Sequence, residues 1–380
     1  MGSFICPRCG NNDPKYIGCI GEKPYCRFCI SLKGENAKEF HYSGNEATLK
    51  LDYPLSKEQK EISEHVINNY KNGIDTLINA VCGAGKTELV YGVMKYALKR
   101  QQSVAFAVPR RDVAAELFYR IKDAFPNNTI TAVYGGHTSK LTADIVVLTT
   151  HQLFRYPNYF DLIILDEIDA FPYNGNPLLE TMFHISSKGR TVLMSATPSK
   201  KVIDYYKREN REILELNTRF HRYPLPVPKI EIKPFVFKQY FLLKKLGEFL
   251  KENKPVFIFC PTIEVAEQLF KNIGRKFKNG MCVHSKKLDR PKIIDDFRNG
   301  KYKFLVTTAI LERGVTIKNL QVIIYQADHD LYNEYALVQI SGRVGRKIDA
   351  PKGEVIFIAD KATDEMEKAR QTIINKNRYL

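Results

Sequence analysis

Tryptophan is absent from the 380 residues, and no apolar run approaches the ~18–20 residues that a membrane-spanning helix needs. A bilayer-crossing helix is therefore not expected. Residues Met1 to Cys9 show no basic segment leading into an apolar one, so no secretion signal is read there. The cytoplasm is the expected compartment. No low-complexity tract or short-period repeat occurs. Residues 1–48 have few apolar runs and cannot build a core of their own. Outside that stretch cysteine is scarce: five of the eight lie at or before position 29. Cys82, Cys260 and Cys282 read as small apolar packing residues.

What is present is a globular balance, with 44% hydrophobic and 26% charged residues. The length exceeds one ordinary core and suits two domains plus an appendage. The net charge of +16 is unevenly placed. Residues 51–216 hold 20 basic against 19 acidic side chains, whereas 217–380 hold 31 against 18. A polyanion such as DNA or RNA is one partner this implies, because neutralising phosphates releases counterions. Solubility, or attraction to anionic lipid, would use the same excess.

From residue 49 onward, short apolar runs alternate with helix-length segments. The runs Thr76–Val81, Val104–Val108, Ile130–Tyr134, Ile145–Leu148, Leu162–Leu165 and Val192–Met194 are read as strands. Strands of this kind separated by helices imply a parallel sheet covered on both faces. Pro224, Pro226 and Pro228 mark an extended linker and hinge, and the alternation resumes at Val256–Cys260, Lys303–Val306, Val322–Tyr325 and Glu354–Ile358. The expected organisation is a module at 1–48, an α/β domain at 49–216, a linker at 217–229 and a second α/β domain at 230–380.

The run Ala80-Val-Cys-Gly83-Ala84-Gly85-Lys86-Thr87 follows a strand and opens a helix, the setting a phosphate-binding loop needs. The glycines let the backbone N–H groups of Gly83, Ala84 and Gly85 curl toward a phosphate chain, and the helix start adds its dipole. Lys86 would reach the β- and γ-phosphates of ATP, and the Thr87 hydroxyl would ligate Mg²⁺. A strand ending in Asp166-Glu167-Ile168-Asp169 supplies the remaining carboxylates. Asp166 fits the metal role and Glu167 the orientation of the attacking water.

In their order, these and further motifs resemble the superfamily 2 helicases over residues 55–346. The resemblance implies two RecA-like parallel-sheet domains in tandem and assigns roles by position. Gln59, in Leu55-Ser-Lys-Glu-Gln59, would read adenine. Ser195 and Thr197, in Ser-Ala-Thr, would couple hydrolysis to the strand-binding face, as would Gly314 within Thr307–Thr316. Gln339, Arg343 and Arg346 lie in the last motif, Gln339-Ile-Ser-Gly-Arg343-Val-Gly-Arg346. An arginine brought from the second domain would complete the charge of the transferring phosphoryl group, tying hydrolysis to domain closure. Arg346 is the first choice for that finger and Arg343 the alternate. Arg110, Thr150, Thr262 and Thr307 are the expected contacts to nucleic-acid phosphates.

Cys6-Pro-Arg-Cys9 and Cys26-Arg-Phe-Cys29 make two thiolate knuckles with the spacing of a tetrahedral Zn²⁺ site. Cys19, between them, reads as a spare. Such a module ahead of a compact two-domain motor resembles the ComFA family, the ATPase of bacterial natural competence. So does the wording of Cys82–Glu88, Asp166–Pro172 and Thr308–Thr316. That resemblance implies a cytoplasmic, DNA-stimulated ATPase that draws single-stranded DNA through a membrane channel, with a possible location at the inner face of the membrane. It also implies a phosphoribosyltransferase-like partner and the DNA-processing machinery. Alternatives are a replication-restart or repair helicase and, in another class, a non-hydrolysing zinc- and DNA-binding scaffold.

Overall fold

The computed structural model describes all residues except 1–3, 31, 33, 52, 82, 288, 309–316 and 379–380. The chain divides into two compact units, residues 1–80 with 85–216, and 81–84 with 217–380. No described helix is long and apolar enough to cross a membrane.

Unit 1 begins with an antiparallel hairpin, β1 (Ile17–Ile20) and β2 (Lys23–Cys26). Then come α1 (Lys57–Lys71), β3 (Thr76–Ala80), α2 (Lys86–Leu89), α3 (Tyr91–Lys99), β4 (Val104–Val108), α4 (Arg111–Ala124), β5 (Ile130–Val133) and β6 (Ile145–Thr149). A 3-10 turn, Thr150–Arg155, leads to β7 (Phe160–Leu165), α5 (Pro177–Ser186), β8 (Ser187–Ser195), α6 (Lys200–Arg208) and β9 (Glu212–Leu216). The seven-stranded sheet has the order β5-β6-β4-β7-β8-β3-β9, and every pairing is parallel. All five residues of β4 and of β6 are buried, as expected where helices cover both faces.

Unit 2 contains β10 (Lys229–Ile232), α7 (Phe235–Lys251), β11 (Val256–Phe259), α8 (Ile263–Ile273), β12 (Gly280–Val283), α9 (Arg290–Arg298) and β13 (Phe304–Thr307). β14 (Gln321–Tyr325), α10 (Glu334–Ser341), β15 (Val355–Ala359) and α11 (Asp364–Asn377) complete it. Its sheet, β10-β15-β14-β11-β13-β12, is also wholly parallel.

Some elements go beyond the sequence reading. β8 starts at Ser187, and the edge strands β9 and β10 are additional. Edge strands need no continuous apolar run, so Glu212-Ile-Leu-Glu-Leu216 and Lys229-Ile-Glu-Ile232 carry little signal. The segment read as a hinge is fastened to unit 2. The Leu225 amide donates to Asn377 Oδ1 at 2.8 Å, and Asn377 Nδ2 donates back to the Leu225 carbonyl at 2.9 Å. The described residues between 4 and 48 likewise belong to unit 1. Phe4, Leu32, Ala37 and Phe40 pack on a core that includes the four thiols, Phe154, Tyr156 and Phe183.

Candidate functional site

Parallel strands deliver their C-terminal ends to one edge, where ligands of such sheets are bound. In unit 1, β8 pairs with both β3 and β7. The ends of the phosphate-loop strand, the Asp166 strand and the Ser195 strand are therefore side by side. Gly85 caps α2 in the left-handed region at φ 75° with no side-chain cap, leaving the first helical N–H groups for another acceptor. Gly83 is also left-handed, at φ 84°. Cys82 lies outside the described residues.

The Gln59 motif is built into this loop. Ser56 caps α1 in a reciprocal box: the Gln59 amide donates to Ser56 Oγ at 3.2 Å, and the Ser56 amide donates to Gln59 Oε1 at 2.9 Å. That fixes the side-chain amide with Nε2 toward Gly85. A Cβ on Gly85 would lie only 2.5 Å from Gln59 Nε2, so the approach itself requires glycine. Gln59 and Thr87 are buried, 2% and 7% exposed.

Lys86 Nζ lies 4.0 Å from Asp166 Oδ1, with both side chains largely covered. Burial lifts the Asp166 carboxyl to about 6, against the downward pull of Lys86; the neighbouring Glu167 adds to the lift. A divalent cation beside this carboxylate would reverse that balance. Glu167 sits in the left-handed region at φ 59°, a strained setting for a residue with a Cβ, and its amide donates to Asp166 Oδ1 at 2.8 Å.

Asp169 was given no role from the sequence, although it closes the same four-residue box. It accepts the Ser195 hydroxyl at 2.7 Å on one oxygen and the Thr197 hydroxyl at 3.2 Å on the other. The Thr197 amide donates in turn to Ser195 Oγ at 2.9 Å. The carboxylate strand and the Ser-Ala-Thr segment are thus one hydrogen-bonded assembly.

In unit 2, Gln339 lies on α10 and is 6% exposed, Arg343 follows the helix at 1%, and Arg346 is half-buried. Arg346 Nε donates to the Gly342 carbonyl at 2.9 Å. The sequence reading missed Arg219. Its Nη1 donates to the Val344 and Gly345 carbonyls at 2.9 and 2.8 Å, and its Nη2 to Gly342 at 3.2 Å. His221 Nε2 also meets the Gly345 carbonyl, at 2.9 Å. Gly314 and the rest of its motif from 309 to 316 lie outside the described residues.

The expected strand contacts differ in setting. Arg110 occupies the N-cap position of α4, and Thr262 caps α8 by accepting the Val265 amide at 3.3 Å. Thr150 and Thr307 are wholly buried here, and the Thr307 hydroxyl donates to the Thr308 carbonyl at 3.1 Å. Offering either hydroxyl to a phosphate requires a local rearrangement.

Cys6, Cys9, Cys26 and Cys29 bring their sulfurs within 4.8 Å of one another, all buried. Cys6–Cys29 and Cys9–Cys26 are each 3.7 Å apart. A tetrahedron with bonds of ~2.3 Å to sulfur has edges of about 3.8 Å, so the four thiols fit one metal ion of that type. Gly10 makes the first knuckle's turn at φ 69°, and a Cβ on it would lie 2.6 Å from Thr181 Cγ2 on α5. Cys19 is exposed. The module is also tied to the 3-10 turn after Thr149: the Ala37 amide donates to the Arg155 carbonyl at 2.8 Å, and Arg155 Nη1 to the Glu35 carbonyl at 2.8 Å.

Comparison with known proteins agrees with this architecture. A DEAD/DEAH box helicase model matches residues 59–205, and a helicase conserved C-terminal domain model matches 241–347. By fold, the chain is similar to Dbp5 of S. cerevisiae bound to RNA and ADP BeF3, with TM-score 0.62 and 18% identity over 86% of this chain and 92% of that one. It is also similar to the helicase MrfA bound to DNA, with TM-score 0.61 and 15% identity over 90% and 54%. The two sheets are RecA-like domains. In sequence, the chain is 34% identical to competence protein ComFA of Bacillus subtilis, over 98% of this chain and 86% of that protein. It is 33% identical to competence protein ComFA of Streptococcus pneumoniae, over 99% and 91%. A superfamily 2, helicase-like ATPase core and near full-length identity above 30% lead to one assignment: the chain belongs to the ComFA family of competence proteins.

Proposed function

We propose that this competence motor hydrolyses ATP to move along single-stranded DNA and so drives uptake of transforming DNA. The observation that carries the reading is the Asp169–Ser195–Thr197 assembly. It links the strand bearing Asp166 to the segment whose motif couples hydrolysis to strand grip. Lys86, Thr87 and the loop amides would hold the phosphates, Asp166 and Thr87 would serve Mg²⁺, and Glu167 would orient the attacking water. Gln59 would read the adenine through its side-chain amide, which its capping bonds orient. Arg346 would act as the finger, with Arg343 and Gln339 supporting the same motif. The basic excess in 217–380 suits phosphate contacts, to which Arg110, Thr150, Thr262 and Thr307 would contribute.

The four thiols would hold Zn²⁺, which supplies structure to a segment short of apolar residues. The proposed partners are the DNA strand, a phosphoribosyltransferase-like competence protein, the DNA-processing protein and the membrane channel. The proposed location is the cytoplasmic side, at the membrane. Steady-state ATPase measured with and without single-stranded DNA tests the motor: turnover that ignores DNA would overturn it. Displacement of a bound block from a single strand, compared with duplex unwinding, separates uptake motor from restart helicase.

A further inference from the structure

At the other end of the unit 1 sheet from Lys86, the starts of β4, β7 and β8 meet the last turns of α1 and α3. Between them lies a cavity of ≈ 480 Å³, within the roughly 300–1,000 Å³ of small-molecule sites. Lys71, Arg100, Lys188 and Arg190 line it, with Asp161 as the one carboxylate. Lys188 and Arg190 both line the cavity from β8, where its register against β7 shifts between Phe160 and Leu162. The glycine between them permits this: a Cβ on Gly189 would lie 1.9 Å from the Asp161 carbonyl oxygen.

The charges in the cavity are not balanced. Asp161 Oδ2 already accepts the Ser103 amide at 2.8 Å and hydroxyl at 2.7 Å, and lies 3.4 Å from Lys188 Nζ. Among the described residues, no carboxylate pairs with Lys71, Arg100 or Arg190. Cations gathered on a concave wall repel one another and focus potential for an anion. Residues 51–216 as a whole carry almost no net charge, so this concentration is local. The two aromatic rings present, Tyr70 and Tyr96, are already engaged. Lys71 Nζ and Arg100 lie 5.1 and 5.8 Å from the Tyr96 centroid, and Tyr70 meets that ring edge-on at 6.1 Å. The Tyr70 hydroxyl donates to Gln102 Oε1 at 3.0 Å, which leaves the Gln102 amide hydrogens as a neutral donor beside the cations. The cavity therefore offers cations and a donor, with little aromatic face for a base to stack on.

We infer that this cavity binds a compact phosphate-bearing anion, about the size of a diphosphate, at a position separate from the phosphate loop. The inference does not depend on the motor reading. It is tested by calorimetric titration of inorganic pyrophosphate into the full chain carrying Lys86→Ala, which removes the cation of the phosphate loop. One saturable site is expected. Adding Arg100→Gln and Arg190→Gln should weaken it by roughly tenfold or more, and Lys71→Gln, on a different element, should weaken it in the same direction. No saturable binding in the Lys86→Ala chain, or binding that ignores all three substitutions, overturns the inference. Vesicles containing phosphatidylglycerol and a single-stranded oligonucleotide form the other arms. If either binds through these residues while pyrophosphate does not, the cavity belongs to a membrane or a strand, and the solute assignment falls.

Discussion

The Arg219 guanidinium donates to the Gly345 carbonyl at 2.8 Å, across 126 positions of sequence. Together with its bonds to Val344 and Gly342, this holds the loop that carries Arg346 in one shape. Arg219→Ala would remove one donor from each of three carbonyls of that loop, two of which keep Arg346 or His221 as a second partner, at a cost of roughly 2–5 kcal/mol. Denaturant unfolding should show that loss, and ATP turnover should fall while nucleotide binding holds. Arg219→Lys should rescue little, because an ammonium cannot span the same carbonyls as the planar fork.

His221 adds a pH dependence to the same loop. Its Nε2 faces the Gly345 carbonyl and its Nδ1 accepts the Tyr223 amide at 3.1 Å, an arrangement for the neutral ring. Burial lowers its pKa, opposed by the Gly345 carbonyl and reinforced by Arg219. The unfolded chain, with an ordinary value of about 6.5, takes up the proton first. The stabilising contribution is therefore whole above that value and is lost as pH falls through the lower folded one. Unfolding midpoints measured from pH 8 to 5 should decline less steeply for His221→Gln than for the parent chain.

Arg346→Ala is expected to bind ATP almost normally and to turn over on the order of a thousandfold more slowly, with no stimulation by DNA. Arg346→Lys should fail as well. A nucleotide titration beside an ATPase assay checks both. If Arg343→Ala alone stops turnover in a folded chain, the finger is Arg343.

Asp169→Asn breaks the paired acceptance of Ser195 and Thr197 while leaving Lys86 and Asp166 in place. DNA-independent turnover should survive within roughly tenfold, and stimulation by single-stranded DNA should disappear. A variant that is still fully stimulated would remove the coupling role.

One zinc per chain is expected by metal analysis of protein purified without chelator. Cys19→Ser should retain it, and Cys26→Ser should lose it. Because the thiols are part of the unit 1 core, metal loss should also lower the unfolding midpoint of that unit.

Much of the site was legible because its chemistry is local. A glycine-flanked Lys86-Thr87, an acidic strand end and paired Cys-x-x-Cys knuckles each fall within a few positions. The apolar strands were legible because parallel sheets bury whole runs. Arg219 was not, since its partners lie more than 120 residues away and a single arginine before a Pro-rich stretch carries no pattern. Asp169 was visible as a letter, but its partners at and just beyond the end of β8 become neighbours only through strand order. The cavity around Arg190 draws on four separate segments for the same reason. Thr150 and Thr307, expected from their positions as strand contacts, are both buried in this fold, which no local pattern announces.

The bond from Arg155 to the Glu35 carbonyl and that from the Ala37 amide to Arg155 tie the segment after the second knuckle to the turn at Thr150. Stripping a bound ion would then act at a distance, loosening that turn while the phosphate loop, beyond β4 and β7 in the strand order, kept its shape. On the proposed strand grip, zinc supply would set how firmly the motor holds its track, and a chelated protein would idle, burning ATP slowly without being engaged.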